Sequence, residues 1–411
     1  MKILCVFGRH NYGQPSRGTG YEYANFIPAL EALGHEVVFF ESFDRAAWSD
    51  FPTLNRALLE LALREQPEVA LFVLMGYEVW AETLDLLRAP GGPALMNWST
   101  DDSWKYEQFS RLVAPHFDLY VTTAQSALAK ARRDGLEHVV LSQWAANGQA
   151  LAEPLPSDRC EFDVSFVGSA YGSRPRWIQG LRTRGIEVEC FGHGWPRGPV
   201  AAHDVPRIYR HSRISLNFSD APALLRTGTG AQRSRQIKAR VFEVPGAGGF
   251  LLTQAVLGLE EYYRAGEEIA VFEDLGELES KIRRYLGDGK QRDALARRGF
   301  ARTREEHTYE RRFLPLLNAA LERRPWRAAT TASGQFEVDW LRFEHAVASH
   351  AVGPALRLAR RALVAPLRAF WGPVRGPRAA RRLLFELSWR IAGERTYSAA
   401  GLPGRLFYAQ S

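Results

Sequence analysis

The stretch Lys2-Ile-Leu-Cys-Val-Phe-Gly8, Arg9-His-Asn-Tyr-Gly-Gln-Pro-Ser-Arg-Gly-Thr-Gly20, Tyr21-Glu-Tyr-Ala-Asn-Phe-Ile-Pro-Ala-Leu-Glu-Ala-Leu33 and, after Gly34 and His35, Glu36-Val-Val-Phe-Phe-Glu41 decides the fold class. Lys2–Gly8 reads as a core strand, residues 9–20 as a glycine-rich loop and Tyr21–Leu33 as a helix that Gly34 stops. Glu36–Glu41 is the next strand. Further strands are expected at Val69–Leu74, Ala94–Trp98, Leu119–Thr123 and His138–Leu141, with helical patterns between them. Strand–helix alternation of this kind builds a parallel sheet covered on both faces. The loop after the first strand lacks the G-x-G-x-x-G spacing, which disfavours an NAD-type oxidoreductase.

The polar segment Ala150–Cys160, with Pro154 and Pro156, reads as a linker. Beyond it the alternation restarts. Strands are expected at Phe162–Val167, Glu187–Phe191, Ile214–Phe218, Gly249–Thr253 and Ile269–Phe272. Helices are expected at Arg174–Thr183, Arg207–Arg210, Ser234–Val244 and from about Leu275 to Leu321. The expectation is therefore an α/β chain with two Rossmann-like domains, at 1–152 and 160–324. Two such domains facing each other leave a cleft beyond the carboxyl ends of their strands.

A length of 411 residues is enough for two to three domains, and 46% apolar with 24% charged residues allows sizeable cores. The widely spaced Cys5, Cys160 and Cys190 suit neither a disulfide framework nor a zinc site, so a reducing, cytoplasmic setting is expected. The N-terminus reads as a core strand and not as a signal peptide.

The most informative stretch for function is Gln236-Ile-Lys-Ala-Arg-Val-Phe-Glu-Val-Pro-Gly-Ala-Gly-Gly-Phe-Leu-Leu-Thr253. It puts Lys238, Arg240 and Glu243 on one helix ahead of a glycine turn. A nucleoside diphosphate needs cations for its phosphates and a carboxylate for its ribose hydroxyls. Gly248 and Gly249 would let backbone approach the ligand. A solvated amphipathic helix with a glycine cap fits the same residues.

Residues from about 160 to 320 resemble the donor half of group 1 glycosyltransferases, in particular the CgeB-like (spore maturation protein) branch. The resemblance is carried by Phe162-Asp-Val-Ser-Phe-Val-Gly-Ser169, Cys190-Phe-Gly-His-Gly-Trp195 and Ile208-Tyr-Arg-His-Ser-Arg-Ile-Ser-Leu-Asn-Phe218. Arg240-Val-Phe-Glu-Val-Pro-Gly-Ala-Gly-Gly249 and Gly258-Leu-Glu-Glu-Tyr-Tyr263 continue it, and Asn97-Trp-Ser-Thr-Asp-Asp-Ser-Trp104 extends it more loosely into the first half. It implies a GT-B fold and transfer of a sugar from a nucleoside diphosphate sugar to a hydroxyl on a glycan, lipid-linked or protein acceptor. Cell-surface or secondary glycan biosynthesis is the implied setting, with the nucleotide sugar as substrate and no cofactor required. Because the donor half supplies its own cations and no ligand cluster has metal-site spacing, no metal is expected, and the cations lie outside any nucleic-acid-binding motif.

In retaining members two glutamates eight positions apart face the donor. Glu243 matches the second, which binds ribose, while Arg235 stands at the first. That departure keeps open a nucleotide-sugar- or glycan-binding protein without activity. Gly168, Ser169, Arg174 and Asn217 are further donor candidates, the arginine for phosphate. His193 and Trp195 would stack on a base or sugar, and Lys238 would stabilise the leaving diphosphate. Across the cleft, His10 is a candidate base or sugar ligand. Asp101 and Asp102 are candidates for split acid and base roles, with a divalent metal site, against which their adjacent spacing speaks, and a helix N-cap as the alternatives.

Beyond Pro325 the sequence has thirteen arginines, no lysine and five acids, whereas residues 1–324 sum to −1. Arg327–Gly334 reads as a linker and 335–411 as a basic helical extension. Trp340–Trp371, with interruptions expected at Pro354 and Pro366, and Arg378–Ile391 read as basic amphipathic helices. Arg357, Arg360, Arg361, Arg368, Arg378, Arg381, Arg382 and Arg390 interleave there with Leu356, Leu363, Leu367, Phe370, Trp371, Leu383, Leu384, Leu387 and Ile391. Such helices suit an anionic membrane surface, here the inner face of the plasma membrane, and equally suit packing on protein.

Overall fold

A computed structural model describes residues 1–44, 46–227, 230–324, 335–351 and 353–392, with side chains at 108, 221–234, 374, 378, 382, 385, 386 and 389 left out. The expected linker at 327–334 and the end of the extension at 393–411 lie outside the described residues, as do the side chains of Arg378 and Arg382.

The first sheet holds β1 (Lys2–Phe7), β2 (Glu36–Glu41), β3 (Val69–Phe72), β4 (Ala94–Ser99), β5 (Leu119–Thr122) and β6 (Val139–Leu141). All pairs are parallel, in the order β2-β1-β3-β4-β5-β6. Its strands are apolar on both faces because both faces are covered. Leu4 and Val6 enter one core with Leu58, Leu84 and Leu128, while Ile3, Cys5 and Phe7 enter the other with Phe26 and Leu30. The second sheet holds β7 (Phe162–Val167), β8 (Glu189–Phe191), β9 (Ser212–Asn217), β12 (Leu251–Gln254) and β13 (Ala270–Phe272), parallel in the order β13-β12-β9-β7-β8.

Between β9 and β12 lies an antiparallel hairpin, β10 (Asp220–Thr227) with β11 (Gly230–Arg235). It corrects the expected helix at Ser234–Val244, which instead spans Arg240–Gly246. Lys238 therefore precedes that helix.

Two segments cross between the sheets. The backbone at Ala146 pairs with that at His307–Tyr309 through bonds of 2.8 and 3.0 Å. The helix Tyr309–Glu322, counted by sequence order with the second unit, returns to the first. Its Tyr309, Phe313, Leu316 and Leu317 complete the core around Phe26 and Trp98. The helix Trp340–His350 also belongs to the first unit. Phe336, Phe343 and Ala346 are buried in its other core, His350 stacks on Trp80 at 4.3 Å, and Glu344 pairs with Arg56. This part of the extension is packed on protein, while the helix Pro354–Ala392 has an apolar cluster of its own.

Candidate active site

In each sheet the chain leaves two neighbouring strands in opposite directions, β1 and β3 in the first, β7 and β9 in the second. The carboxyl ends at such a switch point form the ligand crevice of an open α/β sheet. In the second sheet that crevice is cationic. Arg174 opens the helix Arg174–Arg182 after β7, is almost fully buried, and donates to the Ser169 carbonyl at 3.0 Å while stacking 4.2 Å from Tyr171. Arg240 donates from Nε to Asn217 Oδ1 at 3.1 Å. The two guanidinium groups converge on Gly168, where a Cβ would stand 3.0 and 3.5 Å from them and where φ is +153°. Gly168 is thus required by both backbone and space.

Lys238 completes the cluster. Its ammonium is pushed down to about 7, first by burial and then by Arg240 and Arg174, against the opposing pull of Asp101 and Asp220. Arg174 falls to about 10, again through burial and then Arg240. Among the described residues no carboxylate forms an ion pair with Arg174, Lys238 or Arg240. Three neighbouring cations without a directly paired carboxylate suit a multiply charged anion, with Asp101 and Asp220 near enough to offset part of the charge.

The opposite wall comes from the first unit. Asp101, just before the short helix Asp102–Lys105, reaches across to Lys238 electrostatically and lies 3.9 Å from Lys105. Glu22, the second residue of the helix Tyr21–Ala32, was not singled out by the sequence reading. Its carboxyl is raised to about 7, chiefly because protein walls it from water and further because Asp101 is near. Glu243 is also raised to about 7 by burial, against Arg240 and a hydrogen bond donated by Tyr21. The Tyr21 hydroxyl, at the start of the helix Tyr21–Ala32, lies 3.0 Å from that of Tyr309, so Tyr309 positions the group that bonds this carboxylate.

Several expected site residues have other tasks. Asp102 is buried away from Asp101 and accepts from Ser99 and Ser110, so the two aspartates share no site. Its carboxyl is raised by burial. Asp102→Ala leaves those hydroxyls unpaired and is expected to cost about 1–3 kcal/mol of stability, read by urea unfolding, without weakening nucleotide binding. Gly248 and Gly249 precede β12 and so lie at the edge opposite the crevice. Gly248 packs on the Ala152 carbonyl and Gly249 on that of Tyr209, so they do not approach a ligand there. Asn217 spends its amide on Arg240 and on Thr253 at 2.9 Å, which makes it a positioning residue. The Trp195 indole donates to the Gly168 carbonyl at 2.7 Å and packs on Phe166, tying two loops together. His193 and Ser169 are exposed at the rim. His10 forms a bridge with Thr19, and its buried Nδ1 has no hydrogen-bond partner. Arg235 turns to the Ala255 carbonyl at 3.1 Å and Glu273 at 3.0 Å, toward the ends of β12 and β13.

Residues 174–318 match the family model described as Glycosyl transferase-like. That stretch includes Arg174, Lys238, Arg240 and Glu243 but only about a third of the chain. No curated protein sequence matches the chain. Among solved structures, HepE of Anabaena in complex with UDP and glucose is similar with a TM-score of 0.53 at 12% identity, over 78% of this chain and 100% of that one. Sucrose-phosphate synthase from Thermosynechococcus elongatus gives 0.51 at 14% identity, over 78% and 97%. A glycosyltransferase from Rickettsia africae gives 0.52 at 10% identity, over 78% and 98%. These likenesses identify the fold as GT-B, two facing Rossmann-like domains.

Proposed function

We propose that the chain transfers a glycosyl group from a nucleoside diphosphate sugar to a hydroxyl acceptor, as a CgeB-like group 1 glycosyltransferase. The observation that carries this reading is the cluster of Arg174, Lys238 and Arg240, unpaired with carboxylates and set at the switch point of the donor sheet. The diphosphate would lie among these three cations. HepE holds UDP and glucose, and that supports a uridine nucleotide as donor here. In the proposed step the acceptor oxygen bonds to the anomeric carbon, the bond from that carbon to the diphosphate oxygen breaks, and the electron pair leaves with the diphosphate. The acceptor proton passes to Glu22, which lies beside Asp101, the first-unit carboxylate that acts on Lys238. The cations meet the leaving charge, so the reaction takes no metal. A reducing cytoplasm is the proposed setting, with a glycan, lipid-linked or protein acceptor and no role for nucleic acid.

Glu243 is assigned the ribose hydroxyls, because it is held one helical turn below Arg240 and faces the first unit through Tyr21. Glu243→Ala is expected to raise the dissociation constant for UDP more than about tenfold, the loss of charge-assisted hydrogen bonds. Calorimetric titration of UDP into both proteins checks this, and equal affinities would remove the ribose assignment.

A further inference from the structure

The helix Pro354–Ala392 is two arms. Pro354 starts the first arm, where its missing N–H costs nothing, and Pro366 passes inside without a break. The break comes instead at Gly372, whose φ of 80° turns the chain back. Gly376 then sits against the backbone of Leu367 and Arg368. The arms meet through Ala380, Leu356, Leu363, Val364, Leu367 and Leu384, an apolar cluster separate from those of the two units. Four residues expected on a lipid-facing surface, Leu356, Leu363, Leu367 and Leu384, are therefore used to close the hairpin.

What remains exposed is ordered differently. Leu383, Leu387 and Ile391 repeat at every fourth position of the second arm and are 46%, 48% and 89% exposed. That spacing makes one continuous stripe along a helix. At the turn, Phe370 and Trp371 are 79% and 47% exposed. Between Pro354 and Ala392 the sequence carries nine arginines and a single acid, Glu386.

We propose that this hairpin docks the protein on the surface of an anionic lipid bilayer, with the stripe and the aromatic turn in the headgroup boundary. An apolar stripe bordered by arginines is the pattern that lies in such an interface. No helix among the described residues is long and apolar enough to cross a membrane, so the hairpin lies on it. A second copy would set two strongly cationic hairpins together, which disfavours self-association. Nucleic acid would meet the charge but leave the aliphatic stripe in water.

The test uses the full chain with vesicles of phosphatidylglycerol and phosphatidylcholine, against phosphatidylcholine alone, in a sedimentation assay. The protein is expected to partition at least about tenfold more onto the anionic vesicles and to be released by high salt. The full-length variants Leu383→Ser with Leu387→Ser and Ile391→Ser, and Phe370→Ser with Trp371→Ser, are expected to lose about tenfold or more of that partition. Their circular dichroism and UDP affinity should stay unchanged, so a folding defect is told apart. Equal partition onto both vesicle types, or stripe variants that bind like the parent, would overturn the proposal. So would a dimer that dissociates when the stripe is replaced, or nucleic-acid binding in place of vesicle binding. None of these readouts requires glycosyl transfer, so the two proposals fail separately.

Discussion

Glu22→Gln is expected to lower turnover by about a hundredfold to ten-thousandfold while donor affinity stays within about threefold, the range over which a positioned general base acts. The carboxyl is isosteric with the amide, and the charge that acts on it is that of Asp101 and not of a cation, so donor affinity is expected to depend little on it. Its ordinary value is raised to about 7 by burial and by Asp101. A base must be ionised, so kcat/KM should rise with pH through about 7, and this rise should vanish in the variant. Lys238 titrates near the same point in the opposite sense, because its charged form is the active one. The free enzyme should therefore show a narrow bell. Bound diphosphate favours the ammonium, so the alkaline limb of kcat should move to higher pH than that of kcat/KM. With Arg235 at the position of the first glutamate and paired with Glu273, and Glu22 as the proposed base, inversion at the anomeric carbon is the expected outcome, which proton NMR of the first-formed product reads.

Lys238→Ala is expected to lower kcat about a hundredfold to a thousandfold, with a smaller rise in donor dissociation constant. The charge on the leaving diphosphate grows toward the transition state, and the proposed site sets Lys238, which feels both Arg240 and Arg174, against it. Both arginines remain in the variant and continue to hold the ground-state diphosphate. Equal loss in affinity and unchanged kcat would assign Lys238 to uniform binding instead. Steady-state kinetics with calorimetric donor titration separates the two.

The β-rich runs at 2–8 and 162–167 and their repetition showed the two parallel sheets, because strands covered on both faces must be apolar at every position. The same logic failed at 220–235, where β10 and β11 form an antiparallel ribbon without an apolar alternation. Gly228-Thr229, which sits between them in sequence, is the kind of pair that two-residue hairpins use and was the available signal. The cations Arg174, Lys238 and Arg240 were legible from their chemistry. Their neighbours were not, since Asn217 and Trp195 look like ligands in sequence and are consumed by contacts only the fold creates. Gly248 and Gly249 were misplaced for a simpler reason. They precede a strand, and parallel strands present ligands at their ends. Glu22, the proposed base, was not among the sequence candidates although it lies in the first turn of the helix that follows the loop of β1. The return of Tyr309–Glu322 and the docking of Trp340–His350 depend on long-range packing that no local pattern carries.

When the purified full chain is offered a panel of nucleoside diphosphate sugars in chelator-treated buffer, free nucleoside diphosphate is expected to be released slowly from one donor class. That release should be abolished by joint replacement of Arg174, Lys238 and Arg240 with alanine, while the Asp101→Asn protein still binds the nucleotide. No release and no nucleotide binding with any donor in the panel would contradict the proposed glycosyl transfer.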